Sequence, residues 1–118
     1  MSDQDPYAPL KDKLEFLDQC IKEVEAEIRI RQKQAEDFLD ELDKKAMAVQ
    51  NTLFKLESLP AERERQTALE KEIKILEQEK RQQRLDCWKD VSHLQKEIRQ
   101  LKREHRAVAG VLCFPPKN

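Results

Sequence analysis

Apolar side chains recur along the first half of the chain in alternating steps of four and three residues, beginning at Leu10. This spacing is typical of the a and d positions of a coiled coil, and we call the row of these positions on each helix its seam. Two successive steps of four, from Phe38 through Leu42 to Ala46, predict a stutter, which is a local unwinding of the supercoil. The predicted first seam comprises Leu10, Leu14, Leu17, Ile21, Val24, Ile28, Arg31, Ala35, Phe38, Leu42, Ala46, Val49, Leu53 and Leu56.

The second half repeats the pattern, with one extra step of four between Lys80 and Arg84. Gly110 lies near the end of this pattern, where a helix often ends in a left-handed glycine, and we therefore predict a C-cap there. The predicted second seam comprises Leu69, Ile73, Leu76, Lys80, Arg84, Cys87, Val91, Leu94, Ile98, Leu101, His105, Val108 and Leu112.

Pro60 divides the helical pattern almost in half. A proline inside a helix costs about 3 kcal/mol, whereas in the first turn of a new helix it costs little. We therefore predict an all-α fold, a long antiparallel two-helix coiled-coil hairpin. Because the turn has neither Gly nor Asn, a kinked long helix in a parallel coiled-coil dimer is the alternative. The predicted segments are a disordered leader (1–9), helix 1 (10–58), a turn at Pro60 (59–61), helix 2 (62–112) and a flexible tail (113–118).

Composition supports long helices and argues against enzymes. Charged residues make up 40% of the chain, aromatic residues 5%, and about half of all residues are Ala, Glu, Lys, Leu or Arg, as in coiled coils. With a single glycine, the chain cannot form the glycine-rich loops that bind phosphates or the many turns of a β-rich fold. We expect no enzymatic activity and no cofactor.

Charge is divided unequally between the two halves. The half before Pro60 carries an excess of acidic residues, and the second half an excess of basic ones. Residues 80–106 are the most basic stretch, so a nucleic-acid-associated coiled coil is an alternative function. Because these charges are interleaved with acidic residues and would face the acidic first helix, we interpret them as a solvated or internally paired surface, and nucleic acid is an unlikely partner.

Cysteine and histidine give no metal signature. Cys20, Cys87 and Cys113 are widely spaced, and neither His93 nor His105 has a ligand at zinc-site spacing. Free cysteines suit a reducing compartment, and we expect an intracellular protein, cytoplasmic or nuclear. The longest nearly apolar run, 107–114, is too short to cross a bilayer, so no membrane insertion is expected.

Polar residues interrupt the seams, and we interpret them as setting register rather than performing chemistry. Pairing the helices about Pro60 brings together residues whose numbers sum to roughly 119, which places Arg31 opposite Trp88 for cation–π stacking. The same pairing puts Lys80 and Arg84 opposite residues 35–39, where acidic side chains at 36 and 37 could neutralise them. The predicted register-setting residues are Arg31, Lys45, Lys80 and Arg84.

Large apolar residues also lie off the seams, and a closed two-helix hairpin cannot bury them. Such residues usually mark an interface, so we expect a structural or adaptor subunit that associates with itself or with helices of other subunits. The tail around Phe114, Pro115 and Pro116 is either a docking motif or a frayed end. The predicted interface residues are Phe16, Cys20, Ile30, Leu39, Met47, Phe54 and Trp88.

Residues 56–60, Leu-Glu-Ser-Leu-Pro, are superficially similar to the start of the inter-helix region of prefoldin subunits. That resemblance would imply a chaperone-like helical clamp, a further alternative function. Prefoldins insert β-hairpins between their helices, whereas the chain from Ala61 onward returns at once to helix-forming residues. The similarity covers only five residues, and no family membership follows from it.

Overall fold

A computed structural model describes residues 5–113, and these form two long helices. Helix α1 spans Ala8–Leu56 and helix α2 spans Arg63–Cys113. The segments of α1 and α2 pack antiparallel, so the predicted all-α hairpin is confirmed, and the alternative of one kinked helix is wrong. No strand occurs between residues 5 and 113.

The turn between the helices is built around Pro60. Leu59 has extended backbone (φ −112°, ψ 99°), the conformation that a following proline favours, and Pro60 begins a short 3-10 helix, Pro60–Glu62. The N–H groups of Leu59 and Glu62 donate to the carbonyl oxygens of Leu56 and Leu59, each at 3.0 Å.

Gln66, in the first turn of α2, closes this connection. Its Nε2 donates to the carbonyl oxygen of Leu56 and, at 3.2 Å, to that of Leu59. The last carbonyl groups of a helix lack partners within the helix, and a glycine C-cap is the common way to satisfy them. Here a side chain from the next helix does so, which explains how the turn forms without glycine.

Contacts within the chain group it into two compact units. The terminal unit combines Met1–Ile30 with Asp90–Asn118, and the turn unit is Arg31–Lys89. Each unit therefore contains one segment of each helix and has its own apolar seam.

In the terminal unit the predicted seam is regular. Leu17 and Val91 are buried, and the other seam side chains between Leu10 and Ile28 and between Leu94 and Leu112 are half-buried. Two helices can cover only one stripe of each other, so most seam residues keep one edge in water. Full burial of a leucine side chain contributes about 1.5–3 kcal/mol, and these positions contribute correspondingly less.

The turn unit buries more of its seam. Its buried side chains are Ala35, Leu42, Leu53, Leu56 and Leu76. Each is a predicted seam position, and Leu53 and Leu56 lie beside the turn that Gln66 closes. The best-packed part of the described chain is therefore on the turn side.

The stutter of α1 lies one heptad, about two helical turns, before its predicted position. Phe38 is 41% exposed, whereas Leu39, predicted to lie off the seam, is half-buried. With Leu39 in the seam, the two consecutive steps of four fall at Arg31, Ala35 and Leu39, and the positions from Leu39 to Leu56 form uninterrupted heptads. Neighbouring apolar residues made both placements possible from sequence.

The stutter of α2 also lies at a different position from the one predicted. Arg84 is exposed and Gln83 is half-buried, so the seam runs from Lys80 through Gln83 and Cys87 to Val91. The prediction of Arg84 in the seam is wrong because burying a charge costs far more than burying a neutral amide. Lys45 is also exposed and sets no register.

The predicted disordered leader is ordered where the structure describes it. Asp5 accepts hydrogen bonds from the Tyr7 N–H at 2.9 Å and from Lys11 Nζ at 2.6 Å, and these bonds, the lysine's first, hold the pKa of Asp5 below its ordinary value. Residues 5–9, predicted as part of a disordered leader, thus form a turn and the start of α1. The predicted residues 1–4 and 114–118 of the leader and tail lie outside the described residues.

Gly110 does not cap α2. The helix continues through it to Cys113, and no residue between 5 and 113 has positive φ. A glycine inside a helix costs only about 1 kcal/mol relative to alanine, and the half-buried Val108 and Leu112 pack on either side of it. Continuing the helix is therefore the more stable arrangement.

Candidate interaction surfaces

Five large apolar side chains from the predicted interface are exposed. Their exposed fractions range from 58% at Ile30 to 75% at Phe54. The five residues are Phe16, Ile30, Met47, Phe54 and Trp88.

These residues do not form one stripe. Phe16 and Ile30 belong to the terminal unit and share one face of α1, because fourteen residues at about 100° each bring the helix back to within about 40°. Met47 and Phe54 belong to the turn unit and share a face there, because they are seven residues, about two helical turns, apart. The chain therefore presents separate apolar faces, which we call the Phe16 face and the Phe54 face.

Two predicted interface residues are not part of these faces. Leu39 fills the seam, and Cys20 is half-buried beside the seam position Ile21. Phe38, 41% exposed, lies outside the seam, where Leu39 was predicted to lie. Its exposure could not be read from the pattern, because Phe38 and Leu39 are equally apolar and adjacent.

Lys80, one of the predicted register-setting residues, contacts the other helix. Its side chain is 20% exposed and forms a salt bridge with Asp43 of α1. The prediction that acidic side chains at 36 and 37 neutralise Lys80 is therefore wrong. Asp37 instead pairs with Lys33, one turn before it on α1, at 3.1 Å, and this hydrogen bond raises the pKa of Lys33.

The contacts across the helices define a different register from the one predicted. Lys80 meets Asp43 in the turn unit, and His105 meets Asp18 in the terminal unit; both pairs of numbers sum to 123 rather than 119. Side chains on a helix slant toward its N-terminus. Side chains of α1 therefore slant away from the turn and those of α2 toward it, so a residue of α2 meets a residue of α1 that lies slightly nearer the turn, which raises the sum above 119.

The new register separates Arg31 from Trp88. A sum of 123 brings Trp88 level with Ala35, one helical turn beyond Arg31. Trp88 is two-thirds exposed. Arg31 is half-buried at its predicted seam position. The predicted alignment of these two residues, on which their stacking depended, is wrong.

His105 is a seam residue with a polar partner that the sequence did not suggest. Its Nε2 lies 3.0 Å from Oδ1 of Asp18. The pair borders a cleft of about 470 Å³ in the terminal unit, and the α2 side of this cleft is basic. Acid and base spacing within one helix is visible in a sequence, but a pair between helices depends on register.

The described residues offer no metal centre and no membrane-spanning helix. Among residues 5–113, no three His, Cys, Asp or Glu side chains are arranged to hold a metal ion, and the three cysteines are unpaired by disulfides. Neither described helix has a stretch apolar enough to cross a bilayer.

Comparison of the chain with profiles of known protein families, with curated proteins and with solved structures found no match.

Proposed function

We propose that the chain is a non-enzymatic coiled-coil subunit that mediates protein–protein interaction, and that its simplest partner is a second copy of itself. The single observation behind this proposal is the exposure of large apolar side chains on the Phe16 and Phe54 faces. Burying such a side chain in an interface contributes about 1.5–3 kcal/mol. Aromatic residues are also enriched among the side chains that dominate binding.

The geometry of the Phe16 face suits a helix as the partner. Phe16 and Ile30 lie on one side of α1, about 21 Å apart along its axis at 1.5 Å per residue. A helix packed alongside α1 contacts both side chains at once, whereas a small ligand cannot. A two-helix hairpin has only one seam, so a third and fourth helix supply the burial that these side chains lack.

The polar seam contacts support specificity in such a subunit. A salt bridge such as Lys80–Asp43 stabilises one register of the hairpin over registers shifted by a turn. A fixed register in turn fixes which off-seam side chains lie side by side. The hairpin can then present the same apolar faces to every partner.

The proposal is tested by placing charges on the Phe16 face. We expect Phe16→Glu combined with Ile30→Glu to leave the helical circular dichroism unchanged, because both positions are exposed. The molar mass in size-exclusion light scattering should fall from a multiple of 14.0 kDa to 14.0 kDa itself.

The matched control adds two negative charges to the same unit at exposed neutral positions, Gln95→Glu combined with Gln100→Glu. It should keep the mass of the unmodified chain. A mass that is unchanged in the Phe16 and Ile30 variant, or lowered equally in the control, contradicts a role for this face.

A further inference from the structure

The cleft beside His105 collects positive charge from one face of α2. Four exposed cationic side chains line it, namely Arg99, Lys102, Arg103 and Arg106. Helix α1 contributes Asp18 and Ile21. At about 470 Å³, the cleft is within the size range of small-molecule sites.

These cations share one side of α2, although acidic residues are interleaved with them in the sequence. At about 100° per residue, the four positions occupy a sector of about 100° around α2. The acidic residues of the same turns, Glu97 and Glu104, lie at least about 100° outside that sector. Neighbouring like charges on a helix repel one another, so the grouping costs stability unless an anion binds there.

Internal carboxylates do not neutralise the cluster. Asp18, the one carboxylate that lines the cleft, is 3.0 Å from His105. Across residues 5–113, no acidic group lies within salt-bridge distance of any of the four cations. The cationic groups are therefore available to an external anion.

The composition of the cluster indicates the kind of anion. Three of its four cations are arginines, whose planar guanidinium groups bind phosphate oxygens through paired hydrogen bonds. The cluster spans about 10 Å along the axis. Gln95, Ala109 and Gly110 on this face are uncharged, while Lys96 lies about 20° outside the sector and does not line the cleft. The four cations that line the cleft converge on one small space beside α1, which suits a compact anion better than an extended nucleic-acid backbone.

We propose that this cleft is a binding site for a compact ligand that carries several phosphate groups on one small ring, such as an inositol polyphosphate. The phosphates bind the four cations, and the ring carbons face the apolar side chain of Ile21. The same chemistry occurs in a soluble inositol phosphate and in a phosphoinositide headgroup.

Isothermal titration of the full chain with inositol hexakisphosphate tests the site. Arg99→Gln combined with Arg103→Gln should weaken binding at least about ten-fold, because each substitution removes a charge-assisted hydrogen-bond donor. The matched control, Arg81→Gln combined with Arg84→Gln, removes the same charge from exposed positions on α2 in the turn unit and should change the affinity less than about two-fold. Circular dichroism verifies that both variants keep their helices.

A second experiment distinguishes a lipid headgroup from a soluble inositol phosphate as the ligand. Co-sedimentation with phosphoinositide vesicles, beyond that with phosphatidylserine vesicles of equal charge, assigns the site to a lipid headgroup, and binding of the free inositol phosphate alone assigns it to a soluble ligand. Either outcome supports the proposal. It is overturned if neither probe binds, if the control weakens binding as much as the cleft variant, or if an oligonucleotide of equal phosphate concentration binds more tightly.

Discussion

The two units of the hairpin use the same seam pattern for different purposes. The turn unit has five buried side chains, but it also contains the interruptions: the displaced stutters and the Lys80–Asp43 salt bridge. The terminal unit has regular heptads but, among its described residues, only two buried side chains, Leu17 and Val91, and it carries the basic cleft. Regular spacing and tight packing are thus separate properties in this chain.

This difference has more than one physical cause. Gln66 and Pro60 connect the helices through a short segment, which holds the nearby Leu53 and Leu56 close to α2. Leu42 and Ala35 are more deeply buried but lie well before the turn, so their burial comes from packing along the seam. In the terminal unit the seam side chains keep one edge in water. Its α2 segment also concentrates like charges around the cleft. We expect the turn unit to dominate the stability of the hairpin and the terminal unit to be freer to specialise in binding.

The largest expected effect compares core leucines in the two units. Leu42→Ala removes a side chain that is 2% exposed in the turn unit and should lower the free energy of unfolding by about 3 kcal/mol. Leu101→Ala, at a half-buried position of the terminal unit, should cost about 1–2 kcal/mol. Urea unfolding followed by circular dichroism measures both. Equal losses of unfolding free energy in the two variants would contradict the expectation that the turn unit dominates stability.

The next effect concerns the turn. Gln66→Ala removes both side-chain hydrogen bonds to the end of α1 and should cost about 1 kcal/mol. Gln50→Ala, at an exposed position of α1, serves as the control and should cost less than about 0.5 kcal/mol. Hydrogen exchange should locate the loss of protection in the turn unit. If Gln66→Ala unfolds no more easily than the control, the side chain does not close the turn.

The smallest effect is the coupling between Lys80 and Asp43. A double-mutant cycle with Lys80→Met and Asp43→Asn should give about 0.5–1 kcal/mol, a modest value because the Asp43 side chain is about half exposed and screened by water. The exposed pair Lys33 and Asp37 on α1 should give about 0.3 kcal/mol. A coupling no larger than that of the exposed pair would mean that Lys80 does not set the register.

Much of the fold follows from sequence because its causes are local. The spacing around Leu17 and Leu42 indicates the seams, and the cost of a proline inside a helix places the break at Pro60. The stutters were misplaced because adjacent residues such as Phe38 and Leu39 satisfy the pattern equally well. Packing then decides between them.

The contacts between helices were harder to predict. Asp18 meets His105, and Asp43 meets Lys80, only in a register that depends on how side chains slant. Gln66 is an ordinary helix residue in the sequence, and its role exists only once the turn has closed. The exposed apolar residues were largely predictable, since a two-helix hairpin has few positions to bury them, but their division into separate faces was not.

The most direct test of the proposed association is the molar mass of the unmodified chain, measured by sedimentation equilibrium as its concentration is raised. Association through the exposed apolar residues predicts a mass that rises from 14.0 kDa toward a multiple of that value. A mass that stays at 14.0 kDa at every concentration would contradict it.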